Sequence, residues 1–411
     1  MSCLWLLFSI STANFFISQL YRAANAVIAP LLIHDLSLNT EELGLLSGSF
    51  FYGFALMQIP ITLLLDRVGP RRMVTGLSLI GILGAFIFSL AENLSTGVLG
   101  RVLLGVGMSC NLIGTLKLLT SWFGPGRFAT LSGVVFSMGT LGNMAATSPL
   151  VALVNLVGWR PGFRLIAIVN LALVVAFYLL VRDAPHNSPS VSPVREGGRR
   201  AQKIGFNLWL LLKREDFWVI SMGALMSYGV FAAFQTLWAG PFLIEVMGFT
   251  PMASGNLILL VNIGFLIGPM LWGTLSDRLF RTRKWVVVWG HVGYAGVVAA
   301  LAMLHPNTST WVLALLLLCF GLFRGTGALM YTQIKELMPI EMAGMAMGGL
   351  NFFLMVGPAV FLHGLGLFMQ SLYPYASRGP EAFSAAFILS AACVAGVSVM
   401  YLFTRDTGLH R

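Results

Sequence analysis

Charge is what this chain has least of. Only 10% of its 411 residues are Asp, Glu, Lys or Arg, 57% are hydrophobic, and the mean hydropathy is +0.84. Soluble domains carry roughly 25% charged residues, and a fold of this size with so few polar groups could not cover its own surface. Ordinary soluble enzymes, nucleic-acid-binding modules and disordered scaffolds are excluded. Cysteine is scarce too. Cys3, Cys110, Cys319 and Cys393 all sit in apolar runs without a CxxC, which argues against a disulfide framework. A basic stretch ahead of the first apolar run is missing: the first charge is Arg22, and no cleavage site stands out. The first segment therefore reads as a retained span and not as a signal peptide.

What the chain does have is long apolar runs. A membrane helix needs about 20 mostly apolar residues. Twelve segments qualify: 4–33, 41–65, 73–91, 96–123, 128–157, 163–181, 216–244, 251–275, 285–304, 311–334, 342–373 and 381–403. Residues 182–207, with Ser-Pro repeats and the run Arg195-Glu196-Gly197-Gly198-Arg199-Arg200, form a polar linker that divides the chain six plus six. The expected units are an N-terminal bundle, 1–181, and a C-terminal bundle, 208–411. With the N-terminus placed in the cytoplasm, 18 of the 25 basic residues fall on that side. Only Arg160, Arg164 and Arg378 fall opposite. This bias predicts both termini inside. The net charge of +10 then speaks of membrane orientation, not of nucleic acid.

The two halves echo each other. Asp66-Arg67 follows segment two, and Asp277-Arg278 follows segment eight. Pro125 and Pro339 stand at matching places after segments four and ten. Repeats in corresponding positions mark transporters built from two related bundles. Thr62-Leu63-Leu64-Leu65-Asp66-Arg67-Val68-Gly69-Pro70-Arg71-Arg72 resembles the loop motif G-x-L-x-D-R-x-G-R-[KR] of the major facilitator superfamily. Gly273-Thr274-Leu275-Ser276-Asp277-Arg278 resembles its second copy, and Arg101-Val102-Leu103-Leu104-Gly105-Val106-Gly107 the fourth-helix motif R-x-x-x-G-x-G. Thr62 and Phe280 depart from the motif glycines. The resemblance implies an all-α membrane protein, with twelve transmembrane helices in two pseudo-symmetric six-helix bundles. It also implies structural or gating roles for Asp66, Arg67, Arg71, Arg101, Asp277 and Arg278.

An ionisable residue at membrane depth is a candidate for function. All 15 acidic residues lie in or beside loops. The four charges inside spans, Arg22, Arg101, Lys117 and Arg324, are all basic. Helical spacing puts Asn14, Ser18, Tyr21, Arg22 and Asn25 on one polar stripe. Ser221, Tyr228 and Gln235 form another in segment seven. The resemblance implies that helices one, four, seven and ten line the path. It therefore places Arg22 and Arg324 beside it, where two guanidinium forks suit a carboxylate or phosphate. Tyr21-Arg22, with Pro30 beyond, is similar to the first helix of the superfamily's organic-anion and organophosphate transporters. The expected substrate ligands are Arg22, Arg324, Tyr21, Asn25, Asn14, Tyr228, Gln235 and Lys117. Lys117 also lies close enough to the helix end to snorkel.

The carboxylates that carry protons in many such symporters are absent: Tyr21 and Met108 stand at those places. That leaves anion exchange, downhill flow, or a histidine. His363 in segment eleven is the proton candidate, ahead of His291 in segment nine. The sequence-level expectation is a transporter of a small organic anion in the bacterial inner membrane. It is expected to be monomeric and to need no cofactor, metal or nucleic acid. An exporter of amphipathic compounds and a transport-inactive sensor are the alternatives.

Overall fold

A computed structural model describes residues 2–123, 125–183 and 209–406. Almost all of the expected linker lies outside these residues. Everything regular among the described residues is helical. The first span is two helices, α1 (Ser2–Ala23) and α2 (Asn25–Leu36). The second is one long helix, α3 (Thr40–Val68), which starts in a capping box. Asn39 accepts from the Glu42 amide, and Glu42 accepts from the Asn39 amide. It ends at Gly69, whose φ of +85° suits glycine, and Pro70 opens α4 (Pro70–Ser89). There follow α5 (Leu94–Met108), α6 (Asn111–Phe123), α7 (Pro125–Ala145), α8 (Ser148–Val157) and α9 (Trp159–Leu180).

The second half begins with α10 (Glu215–Ala233), which continues through π-helical turns at Phe234–Trp238 and Phe242–Val246. Next come α11 (Pro251–Thr274), with a π turn at Leu275–Phe280, and α12 (Lys284–Ala302). The last helices are α13 (Thr310–Arg324), α14 (Gly327–Leu337), α15 (Ile340–Leu372) and α16 (Pro380–Tyr401). Among the described residues, 11 helices are long and apolar enough to cross a membrane, and 12 if α7 and α8, bent by 44°, count as one.

Spans that read as uninterrupted in the sequence are broken in the structure. The first breaks at Ala24, the fourth at Ser109–Cys110, the fifth at Ala146–Thr147 and the tenth at Gly325–Thr326. The seventh is loosened instead by its π turns. Apolar patterning does not foretell such breaks, because the residues at them are buried like those of the continuous helix. The outward surface carries large exposed apolar side chains, among them Leu56, Leu179, Met270 and Trp311. In a membrane they meet lipid.

The halves meet most closely at the end of the bundle away from the linker. Thr40 Oγ1 lies 2.6 Å from Ser377 Oγ, and the Thr40 amide donates to Gln370 Oε1. Ser148 Oγ donates to Asn256 Oδ1. Along α3 and α15, Gly44 faces the Leu362 carbonyl and Gly48 the Ala359 carbonyl. Nearer the linker end, Asn351 Nδ2 donates to Gln58 Oε1 at 3.2 Å.

Candidate functional site: two arginines on one tyrosine

Arg22 and Arg324 are both placed by helix ends. Arg22 is the last residue but one of α1, and Arg324 is the last residue of α13. A cation in the last turn of a helix meets the partial negative charge of its unpaired carbonyls. That is how two guanidinium groups stand buried, 8% and 5% exposed, with no carboxylate beside them. Neither forms an ion pair among the described residues, and Nε of each lacks a hydrogen-bond partner.

Tyr228 of α10 brings them together. The Cζ of Arg22 lies 5.3 Å from its ring centre and that of Arg324 5.0 Å. Each such contact contributes about 0.5–2 kcal/mol. Arg22 also sits 5.2 Å over Phe51, and its Nη1 donates to Gln19 Oε1 at 3.3 Å. Phe51 is one of the aromatics that the sequence offers as cavity lining, whereas Gln19, a neutral amide, carries no signal of its own. Gly327 makes room for Arg324: a Cβ there would lie 1.6 Å from Nη1. The site thus spans the junction of the halves, with Arg22 from one half reaching the tyrosine of the other.

The remaining candidates disperse. The polar stripe on the first span fans out to several neighbours. Asn14 Nδ2 donates to the Ile10 carbonyl, Ser18 to the Met108 carbonyl, and Asn25 Nδ2 to Ser47 Oγ at 2.8 Å. Tyr21 turns away from Arg22 and packs against Phe163 of α9. Gln235 Nε2 donates to Asn262 Oδ1 within the C-terminal half. Lys117 lies exposed on α6, where a stem of four methylenes can reach the interface. Arg101 is 1% exposed, stacks over Phe50, and donates from Nη1 to the Tyr21 carbonyl at 3.0 Å. It thereby ties α5 to the end of α1.

At the linker end the side chain of Asp66 lies outside the described residues, and Arg67 is exposed. Arg71 donates from Nε to the Tyr178 carbonyl and lies over that ring, while its amide donates to Asp183 Oδ1 at 2.6 Å. In the second half, Asp277 pairs with Arg283, not with Arg278, which is exposed. Arg283 also reaches Ser276 Oγ at 3.0 Å and Glu336 at 3.3 Å. Arg283 was counted in the sequence only as an orienting charge. At the opposite end Arg160 pairs with Asp35, which also accepts from Trp159 Nε1, and Arg378 pairs with Glu245.

His363 is half-buried on α15, its backbone against Gly44 of α3, and its ring makes no hydrogen bond among the described residues. A polar chain without a signal in the sequence crosses between the halves. Tyr331 Oη donates to Asn351 Oδ1 at 2.9 Å, and Asn351 donates on to Gln58 across the junction of the halves.

Broken helices around a buried charge pair at the junction of two helical halves define a polytopic membrane transporter. The family model described as Major Facilitator Superfamily matches residues 10–362, and the chain belongs to that superfamily, one of transporters and not of enzymes. The chain is 26% identical over 367 residues to a probable sulfoacetate transporter of Cupriavidus necator, and 25% identical over 366 residues to a hexuronate transporter of Bacillus subtilis. Each alignment covers 84% of both chains. A putative tartrate transporter of Agrobacterium vitis is 26% identical over 75% of this chain and 74% of its own. Among solved structures, a nucleoside transporter superposes with a TM-score of 0.79 at 12% identity, over 97% of this chain and 100% of its own. An inward-facing, occupied bacterial homologue of the lysosomal transporter Spinster gives 0.75 at 18%, over 96% and 95%. These likenesses carry the fold.

Proposed function

We propose that the protein carries a small organic anion, a carboxylate or a sulfonated or phosphorylated acid, across the cytoplasmic membrane by alternating access. The observation that carries this reading is the pair of buried guanidiniums, Arg22 and Arg324, which come from opposite halves onto Tyr228 with no ion-pair partner among the described residues. An anion is the partner such a pair lacks, and each fork can hold two oxygens. The names of the relatives, which refer to sulfoacetate, hexuronate and tartrate, support the same class. An anion held by both arginines draws the halves together. Its release lets residues 1–181 rock against 208–411, so that the contacts of Thr40 with Ser377 open while the linker end closes. The basic bias of the loops supports a cytoplasmic linker.

The test is uptake into proteoliposomes of sulfoacetate, galacturonate, tartrate and a lipophilic cation. Uptake of an acid by the wild type, and its loss in Arg22→Ala and Arg324→Ala proteins that still unfold cooperatively, is the expected result. Preference for the cation, or full uptake by both variants, overturns it.

A further inference from the structure

The acidic residues of the described helices stand in their end turns, yet the interior of one span holds a histidine in an unusual setting. His291 of α12 is fully buried. Its Nδ1 lies 2.9 Å from the Val287 carbonyl oxygen and 3.4 Å from Thr326 Oγ1. A bond to a carbonyl requires hydrogen on Nδ1, so Nε2 carries the free lone pair. That nitrogen has no partner. The imidazole stacks within 9° of parallel on Tyr401 of α16, 6.4 Å between centres, and meets Tyr294 edge-on. The hydroxyls of both tyrosines are buried and also without partners. Buried polar atoms are normally hydrogen-bonded, and here three of them, on rings that meet one another, are not.

The enclosure is joined to the anion site. Thr326 lies in the break between α13 and α14, two residues beyond Arg324. The titratable and charged groups facing His291 are Tyr294 on its own helix, Tyr401 from α16 and Arg324 from α13. On α14, Tyr331 is bonded to Asn351 and Glu336 to Arg283. Arg283 and Asp277 stand at the linker end, more than two helical turns away. Among the described residues no acid faces the ring.

We propose that His291 is the proton-binding site that couples anion movement to a pH gradient. A proton on Nε2 makes the ring an imidazolium. Beside an empty Arg324 this puts two positive charges together in a medium of low dielectric. An anion on Arg324 removes that repulsion. Proton and anion therefore favour each other's binding, and by linkage the effect is reciprocal. Both leave together on the far side, the proton from Nε2 and the anion from the arginines, so the charge of one monovalent anion is balanced.

This inference rests on the anion reading above, and the experiment separates the two. Sulfoacetate, galacturonate and tartrate are each added to detergent-solubilised wild-type protein in weak buffer with a soluble pH indicator. The same anions are then used for uptake driven by an imposed pH gradient, and for exchange without one. The expected result is proton uptake on anion binding and an apparent affinity that rises as pH falls, by no more than about tenfold per pH unit for one linked proton. His291→Asn keeps the donor to Val287. It should keep exchange and lose both the proton uptake and the gradient-driven accumulation. Anion binding to the wild type without proton uptake, or a His291→Asn protein that still concentrates anion on a pH gradient, overturns the proton site and leaves the anion reading standing. A wild type that binds none of the anions overturns both. The indicator measurement needs no variant, so a misfolded His291→Asn protein does not remove the test.

Discussion

Arg22 and Arg324, 302 positions apart in the chain, share the ring of Tyr228 at 5.3 and 5.0 Å. The tyrosine holds two like charges apart from one another yet within reach of one ligand. Tyr228→Phe preserves the ring and should transport at close to the wild-type rate. Tyr228→Ala leaves both guanidiniums without their aromatic support. It should weaken anion binding about ten- to thirtyfold, in line with the loss of two cation–π contacts of roughly 1 kcal/mol each. Calorimetric titration of the purified proteins checks this, and equal losses in the two variants would show that the hydroxyl matters and the ring does not.

Gly327 gives a way to move Arg324 without removing it. A methyl group there would stand 1.6 Å from Nη1 of Arg324 in its present position, so Gly327→Ala forces the guanidinium off Tyr228. The cost to stability is on the order of 1–3 kcal/mol, as for other overpacked sites. The thermal shift caused by anion should fall nearly as far as in Arg324→Ala. An unchanged shift would mean that Arg324 binds nothing.

The contact of Thr40 with Ser377, at 2.6 Å, offers a lock for the end away from the linker. In a background with the four native cysteines replaced, Thr40→Cys together with Ser377→Cys should oxidise to a disulfide. Uptake should stop on oxidation and return with reductant. The single variants should stay active. Uptake undiminished in a fully cross-linked sample would show that this end need not open.

The chain from Tyr331 through Asn351 to Gln58 is the contact between the halves described nearest the linker end. Asn351→Leu leaves the Tyr331 hydroxyl and the Gln58 carbonyl oxygen unpaired, at about 1–3 kcal/mol if they stay dry. A double-mutant cycle with Gln58→Leu should recover part of that loss, since the pair is removed together. Thermal unfolding of the four proteins reads the coupling, and additive losses would deny it.

Much of the architecture was legible in the sequence, because the bilayer admits few solutions. Apolar runs of the right length, the Asp-Arg repeats and the motif at Arg101 led to the helices and to the family. Charge alone gave four basic residues within the spans, and the family resemblance, not charge, put Arg22 and Arg324 beside one path. Less was legible where one helix face meets several neighbours. Asn14, Ser18, Tyr21 and Asn25 share a stripe, yet each turns to a different partner, because the first span breaks at Ala24 and is surrounded on all sides. Arg283 and Asp183 were hidden for another reason. The farther partner of Arg283, Glu336, is 53 residues away, and the partner of Asp183, the amide of Arg71, is 112 away, distances over which periodicity says nothing.

Gly240 sits where a Cβ would come within 1.6 Å of the Ala26 carbonyl oxygen of the other half. One added carbon at that point is a doorstop: it penalises only the arrangement in which the two halves touch there. A penalty of about 1.4 kcal/mol already tips the balance of states tenfold. Gly240→Ala thus biases the resting population towards opening at the end away from the linker, without touching either arginine, and offers a handle for trapping the opposite state of the cycle.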